Sequence, residues 1–139
     1  MTDIKKSAGL VIICKNKILL GHPTNHSWFN SYTIPKGGIE ENETTIDASI
    51  RETKEEIGIS IDKSLIDETT LNSICYLNTK GKKFKIVYYY VVRLDTIENV
   101  IIPKEQLQLK EIDWAGFLTK EEAETKIFWR FKELLNLIK

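Results

Sequence analysis

Apolar residues run continuously through several short segments of the chain, and such runs between polar turns are typical of buried strands. Residues 7–14 and 17–21 form one such pair, and the intervening Lys15–Asn16 dipeptide fits a tight hairpin turn. The stretch Phe84–Leu94 is rich in β-branched and aromatic residues, which predicts a buried central strand. The other predicted strands are Thr70–Asn78 and Ile112–Ala115.

A different period marks residues 44–57, where apolar or β-branched residues recur at offsets of four, three and four. Such spacing places them on one face of an amphipathic α-helix. The residues that form this stripe are Ile46, Ile50, Thr53 and Ile57.

The ends of this helix are also marked in the sequence. Thr44 followed by Asp47 resembles a capping box, and Gly58 is a natural stop. Further on, Lys120–Glu124 and Ile127–Ile138 are predicted as a short helix and a closing amphipathic helix. A mixed sheet with helices on its faces follows, an α/β fold in a single domain spanning residues 1–139.

The segment 22–38 is polar and rich in turn-forming residues, so we expect a long loop that ends in a short strand. Its histidines, His22 and His26, are interpreted as solvated loop residues that could contact phosphate. Its aromatic side chains are candidates for stacking on a flat ring of a ligand. They are Trp28, Phe29 and Tyr32.

Charge and composition narrow the classes of partner. Twenty basic residues balance twenty acidic ones, which argues against binding nucleic acid or membranes by bulk attraction. No apolar run is long enough to span a bilayer and no secretion signal is recognisable, so we expect a cytoplasmic protein. Cys14 and Cys75 lie in apolar strands and are predicted to be buried free thiols.

The helix at 44–57 also carries an acidic cluster. On a wheel of about 100° per residue, Glu52, Glu55 and Glu56 lie roughly opposite the apolar stripe, with their carboxylates adjacent. Like charges about 4 Å apart repel by about 4 kcal/mol near a protein surface. A hard cation such as Mg²⁺, or Mn²⁺ in its place, would turn this repulsion into binding. The alternative is a solvated charged face that Arg51 and Lys54 help to balance.

The residues before the helix favour the metal-binding interpretation. Pro35–Gly38 forms a turn whose glycines, Gly37 and Gly38, can offer carbonyls to a metal or amides to a phosphate. Lys36 in this turn is a candidate contact for phosphate, or else a solvated lysine.

Together these residues resemble the Nudix box, the signature of the Nudix hydrolase family. The resemblance implies a Nudix-type α/β/α sandwich with a mixed β-sheet, and hydrolysis of a phosphoanhydride bond in a nucleoside diphosphate linked to another group. The pattern reads Gly37-x5-Glu43-x7-Arg51-Glu52-Thr53-x-Glu55-Glu56-x-Gly58-Ile59, with Thr53 at a position that is aliphatic in the family.

The resemblance also implies roles for individual residues. Glu55 and Glu56 would be the main metal ligands, joined by Glu52 and the Gly37 carbonyl. Arg51 would order these carboxylates.

Glu43 would pair with Arg51 or act as an additional ligand. The general base would be Glu56, because the position six before Trp114, often acidic in the family, is Gln108 here. The late acids Glu105 and Glu111 remain alternatives.

One further position bears on the identity of the substrate. Tyr76 stands 17 residues after Ile59, which resembles the dinucleoside polyphosphate hydrolases of the family, as does Pro35-Lys36-Gly37. The alternatives are a capped RNA 5′ end, ADP-ribose, a nucleoside triphosphate or damaged nucleotide, an inositol pyrophosphate, and a non-catalytic nucleotide-binding module. We expect a small nucleotide substrate, no membrane partner, nucleic acid at most as an RNA 5′ end, and a monomer or homodimer.

Overall fold

A computed structural model describes residues 4–96, 105 and 107–138 of the chain. Its strands are β1 Lys5–Cys14, β2 Lys17–Pro23, β3 Lys36–Gly38, β4 Asp67–Leu77, β5 Lys83–Leu94 and β6 Ile112–Thr119. The α-helices are α1 Thr45–Ile57 and α2 Lys120–Glu124, and 3₁₀-helices lie at Lys63–Leu65 and Trp129–Leu137.

The strands form one sheet in the order β4-β5-β1-β2-β6, and β3 also pairs with β1. β1 and β5 are parallel, whereas the other strand pairs are antiparallel. The predicted mixed sheet is therefore confirmed, and β5 lies inside it as its apolar composition indicated. All the predicted strands are present, and the sheet extends several of them by two to four residues.

Both faces of the central strand β1 are covered. Successive side chains of a strand point to opposite faces. Leu10 and Ile12 accordingly join the core beneath α1, whereas Val11 and Ile13 join the core beneath the closing 3₁₀-helix. This arrangement explains why the strand is apolar at every position from Ala8 to Cys14, and it confirms the α/β/α sandwich.

Two predictions about element type need correction. The closing segment is a 3₁₀-helix over Trp129–Leu137, not an amphipathic α-helix over Ile127–Ile138. Apolar side chains recur there every third residue, which matches the three residues per turn of a 3₁₀-helix. They are Phe128, Phe131, Leu134 and Leu137. The segment 22–38 is also not a loop from its start, because β2 continues through Pro23.

Three further predictions concern the first hairpin turn, the two cysteines and membrane-spanning segments. Lys15 and Asn16 have φ values of 48° and 66°, as a two-residue hairpin turn with the twist of the strands requires. Cys14 and Cys75 are both free thiols; Cys14 is buried, but Cys75 is partly exposed on the edge strand β4. Among the described residues, no helix is long and apolar enough to cross a membrane.

Candidate active site

Helix α1 begins and ends where the sequence indicated. The Thr44 hydroxyl oxygen accepts a hydrogen bond from the Asp47 amide at 3.2 Å, which satisfies one free donor of the first turn. Gly58 adopts a left-handed conformation with φ of 75°, and its amide donates to the Lys54 carbonyl at 2.9 Å. These caps fix the register of the acidic residues between them.

Arg51 is the centre of a hydrogen-bond network that joins α1 to the preceding loop. Its Nε and Nη2 atoms donate to the two Glu43 oxygens at 2.7 and 2.9 Å. Its Nη1 atom donates to Glu52 at 2.8 Å and to Glu55 at 3.1 Å, and Nη2 also donates to the Gly38 carbonyl at 2.9 Å. One guanidinium therefore holds three acids and the end of β3 in place.

The carboxylates of this network experience opposite environments. The fork of hydrogen bonds from Arg51 lowers the pKa of Glu43 to about 2. Burial raises the pKa of Glu52 above its ordinary value, despite the hydrogen bond from Arg51. The pKa of Arg51 itself is raised, chiefly by its hydrogen bonds to Glu43. Negative charge thus exceeds what this arginine neutralises.

Glu56 is the most enclosed acid of the helix. Only 7% of it is exposed, and its Oε1 atom accepts a hydrogen bond from the Lys36 amide at 3.0 Å. Burial raises the pKa of Glu56 to about 7, and the nearby Glu111 and Glu52 carboxylates add to the shift. Glu56 is therefore shielded from solvent by the β3 turn, which packs over it, whereas helical spacing alone predicted only that it lies beside Glu52 and Glu55.

Gly37 is the point at which the β3 turn meets the helix. A Cβ atom on Gly37 would collide with the Glu52 carboxylate, so any larger residue would force Glu52 out of its contact with Arg51. Gly38, in contrast, has open space around its α-carbon, and its contribution is the carbonyl bound by Arg51. Ala48 and Ser49 are fully buried on α1, so their small side chains are enclosed by protein.

A cavity of about 360 Å³ opens beside this helix. Glu56 and Glu111 line it together with Lys36 and Tyr76, so acidic, basic and aromatic groups from four elements share one space. The other late candidate, Glu105, is exposed and does not line the cavity. Of the two late acids, Glu111 is therefore the one that the fold brings to the helix.

The donor set of this site suits a hard divalent cation. Glu52 and Glu56 are oxygen donors whose pKa values are raised by burial, so added positive charge would stabilise both in their ionised form. Within the described ranges, no three acidic, histidine or cysteine side chains already converge as a metal centre. Glu55 instead points at Arg51. The chemistry of the residues fits Mg²⁺ or Mn²⁺, and Glu55 would exchange its arginine contact for the ion.

Tyr76 lies at the cavity among two cationic side chains. It is buried, which raises the pKa of its hydroxyl to about 12, and the Arg130 guanidinium lies 4.6 Å from its ring centroid. Lys85, its partner in the β4–β5 register, lies 5.2 Å from the same centroid. The pKa of Lys85 is lowered to about 8, chiefly by burial, with the neighbouring Lys36 and Lys5 contributing. Lys85 was not predicted as a site residue. The sequence could have indicated it, because pairing of the two strands in a hairpin places Lys85 opposite Tyr76.

The other wall of the cavity is built on a buried histidine. The prediction that His22 is a solvated loop residue is wrong, because it lies on β2 with 1% exposure. Its Nδ1 atom lies 2.5 Å from Asp113, and its Nε2 atom lies 3.0 and 3.1 Å from the carbonyls of His26 and Ser27. Trp28 stacks on the imidazole with centroids 3.5 Å apart.

The candidate base-stacking residues differ in accessibility. Tyr32 is only 3% exposed, and burial together with the nearby Asp113 raises the pKa of its hydroxyl. Trp28 and Phe29 are 50% and 62% exposed. Trp28 therefore presents free surface to a ligand, whereas Tyr32 serves chiefly as packing against His22 and Trp114.

The fold and the site together are specific enough to indicate a protein family. They combine an α/β/α sandwich, an acidic helix whose carboxylates are hydrogen-bonded to Arg51, and an adjoining diglycine turn. The family model of the NUDIX domain matches residues 4–136. The chain therefore belongs to the Nudix family, and the resemblance seen in the Gly37–Ile59 motif is confirmed.

Individual relatives point in the same direction. The chain is 33% identical over 114 residues to the asymmetrical bis(5′-nucleosyl)-tetraphosphatase of Caenorhabditis elegans, covering 77% of this chain and 78% of that protein. It is 31% identical over 102 residues to mRNA-decapping enzyme subunit 2 of Saccharomyces cerevisiae, covering 73% of this chain. The match covers only 10% of that yeast protein.

Solved structures agree with the fold and with the enzyme class. A C. elegans Ap4A hydrolase binary complex matches with a TM-score of 0.70 and 30% identity, over 96% of this chain and 93% of that one. A MutT Nudix hydrolase from Burkholderia pseudomallei matches with a TM-score of 0.72 at 16% identity, over 99% of both chains, which supports the fold alone. The predicted class, a Nudix pyrophosphohydrolase, is confirmed by the family match and these hydrolase relatives.

Proposed function

We propose that the protein hydrolyses a phosphoanhydride bond of a dinucleoside polyphosphate such as Ap4A. The observation that carries this proposal is the shared cavity, in which Glu56 and Glu111 lie with Lys36 and Tyr76 beside the Arg51 network. The C. elegans tetraphosphatase and Ap4A hydrolase relatives support the choice of substrate.

The cofactor in this proposal is Mg²⁺, with Mn²⁺ as a substitute. Glu52, Glu55 and Glu56 would hold it together with the Gly37 carbonyl, and Arg51 would keep Glu52 oriented while Glu43 fixes the guanidinium. When bound, the cation supplies neutralisation of the phosphate charge and Lewis-acid activation of the substrate.

Side chains of the cavity supply the remaining chemistry. Lys36 lines the cavity and Lys85 lies close enough to interact with Lys36 and Glu56, so both would add positive charge near a bound polyphosphate and lower the barrier to attack by water. Glu56 or Glu111 accepts a proton as that water attacks phosphorus, since both carboxylates line the cavity. The bridging P–O bond breaks, and two phosphate-bearing products leave.

The nucleoside would be recognised by aromatic surface at the cavity and its rim. Tyr76 lines the cavity, Trp28 is half exposed on the loop that forms one wall, and Tyr32 supports that loop from beneath. The Gly38 segment would approach the phosphates through its backbone. A stacked base contributes about 1–3 kcal/mol in other nucleotide sites, enough to matter for affinity.

A hydrolysis panel tests the proposed function directly. Ap4A, ADP-ribose, a capped RNA, a nucleoside triphosphate and an inositol pyrophosphate would be offered with Mg²⁺ in ¹⁸O-labelled water, and the labelled product identified. Ap4A is expected to give the highest kcat/KM and unequal nucleotide products. A preference for ADP-ribose would contradict the dinucleotide assignment, and metal-independent binding without turnover would indicate a non-catalytic module.

A capped RNA 5′ end is the second candidate, and one feature favours it. The segment 76–94 carries five basic residues and no acid, although the whole chain is neutral. This strip adjoins the cavity through Tyr76 and Lys85, and it would suit a phosphate backbone leading away from the site. The five basic residues of this segment are Lys80, Lys82, Lys83, Lys85 and Arg93. This second candidate would be favoured if the protein releases a capped nucleotide from RNA faster than it cleaves Ap4A.

A further inference from the structure

The buried imidazole of His22 is surrounded by hydrogen-bond acceptors on both sides. Its Nδ1 atom faces the Asp113 carboxylate, and its Nε2 atom faces two backbone carbonyls. A carbonyl only accepts, so Nε2 must carry a proton, and a carboxylate likewise draws a proton to Nδ1. The arrangement is therefore satisfied in full by an imidazolium, with Asp113 as its counter-ion.

The two carbonyls belong to a loop that forms a wall of the cavity. They are those of His26 and Ser27, and His26 itself lines the cavity together with Asn30 and Ser31. The Ser31 hydroxyl also donates to the Ser27 carbonyl, so the contact is shared by both ends of the wall. The ring thus reaches from the sheet to the backbone that shapes the substrate space.

The path of this loop includes two left-handed residues and an aromatic contact to His22. Asn25 and Asn30 have φ values of 65° and 59°, a region that asparagine occupies more readily than most other non-glycine residues. The loop also places Trp28 flat against the imidazole at an interplanar angle of 4°. A cation beneath an indole face is favourable, so the charge on His22 would hold both the backbone and the ring.

The groups that face the imidazole come from each element packed against it. Asp113 approaches from β6 and is partly exposed, and Tyr32 approaches edge-on at 5.2 Å between centroids. His26 contributes its carbonyl from the loop. Of these, Asp113 is the ionised group in direct contact.

We propose that His22 is a positioning residue whose doubly protonated ring fixes the wall of the nucleotide cavity. The wall consists of residues Pro23–Ser31, from the last residue of β2 through the loop that follows. Its link to catalysis rests on the function proposed above, whereas the state of the ring does not. Neither His22 nor Asp113 lines the cavity, so the effect on substrate is transmitted through the loop backbone.

NMR spectroscopy of the side-chain nitrogens tests the ring state without any substrate. The chain has two histidines, so the exposed His26 serves as an internal reference. Both His22 nitrogens are expected to carry slowly exchanging protons at neutral pH in the wild type. In Asp113→Asn the amide can donate to Nδ1, so that proton is expected to disappear. A neutral His22 in the wild type would overturn the proposal.

Kinetics of two substitutions test the positioning role. His22→Phe keeps a ring against Trp28 but removes both donors, so KM is expected to rise about tenfold with kcat changed less than about twofold. His22→Gln retains an N–H near the Nε2 position and is expected to recover most of the affinity. A wild-type KM in folded His22→Phe, or no difference between the two variants, would contradict the role.

The proposed function and the proposed protonation state of His22 can be refuted separately. If the wild type hydrolyses none of the panel compounds, the proposed function is wrong, while the nitrogen spectra still decide the state of His22. If His22→Phe does not fold, KM is measured in Asp113→Asn instead, and an unchanged KM there together with a neutral ring in the wild type would overturn the inference. Where a compound other than Ap4A is hydrolysed, KM is measured with that compound.

Discussion

The first wall of the cavity is lined by Glu56 and Lys36 beside the Arg51 network, and the second is lined by the Pro23–Ser31 segment above His22. The two cations that organise these walls differ in reach. Arg51 binds groups 1, 4, 8 and 13 residues away, all within the loop and helix that surround it. His22 binds Asp113, which lies 91 residues away on β6. The first wall is assembled by local chain geometry, whereas the second exists only after the sheet has formed.

The two walls therefore have different roles: the first carries the reacting groups, and the second sets the shape of the cavity. The Arg51 network gathers the acids that would handle metal and water, and these positions are set by helix spacing. The His22 cluster contains no group of the proposed reaction and sets only the outline of the cavity. Substitutions in the first wall should therefore change kcat, and substitutions in the second should change KM.

The largest effect is expected for Glu56→Gln. Loss of a positioned carboxylate should lower kcat by about 10²–10⁴-fold. Because burial raises the pKa of Glu56 to about 7, its ionised form costs stability as pH rises from about 4.5 through 7. The glutamine variant should then be at least as stable as wild type at pH 8 in chelator, as measured by urea unfolding. Wild-type turnover would remove Glu56 from the site.

Glu43→Gln should affect stability with the opposite pH dependence. Breaking the fork with Arg51 is expected to cost about 1.5–3 kcal/mol in the free energy of unfolding at pH 7. The pKa of Glu43 is lowered to about 2, so the wild-type advantage is complete above about pH 4.5 and is lost as pH falls through 2. Glu41→Gln, at an exposed neighbour, is the matched control, expected to change stability by less than about 0.5 kcal/mol. A penalty independent of pH would contradict the ion pair.

Gly37→Ala and Gly38→Ala separate close approach from flexibility. The first places a Cβ atom against the Glu52 carboxylate and should cost about 1–3 kcal/mol, with a fall in kcat as Glu52 moves. The second meets open space and should change the unfolding free energy by less than about 0.5 kcal/mol. If both variants lose the same unfolding free energy, measured by thermal and urea unfolding, contact with Glu52 is not the reason that position 37 is glycine.

Thr53→Val is expected to give the smallest effect. The Thr53 hydroxyl is fully buried and donates to the Ser49 carbonyl at 2.8 Å within α1. Valine loses this hydrogen bond but gains a buried methyl group, so we expect a stability change within about 1 kcal/mol and unchanged kcat. A large loss in urea unfolding would show that the polar contact, not packing, suits threonine to this position.

Much of the first wall was predictable from the sequence. The apolar stripe located α1, its caps fixed its ends, and helical spacing brought Glu52 and Glu55 to Arg51. The same spacing could not predict the burial of Glu56, because burial by the β3 turn depends on how that turn crosses the helix. Periodicity along one element does not contain that information.

The second wall was not predictable in the same way. His22 was interpreted as a solvated loop residue because polar, turn-forming residues follow it, and nothing nearby in sequence marks Asp113 as its partner. The approach of Lys85 to Tyr76 and the choice of Glu111 over Glu105 likewise depended on strand pairing and on the path of the chain around the cavity.

The sequence by itself determined the fold class, the acidic helix and the family, because these depend on residue spacing within single elements. Tertiary structure alone decided which carboxylate is buried, which late acid reaches the cavity, and which histidine holds the opposite wall. The physical reason is that desolvation and ion pairing depend on three-dimensional neighbours, and for His22 the decisive neighbour lies far along the chain.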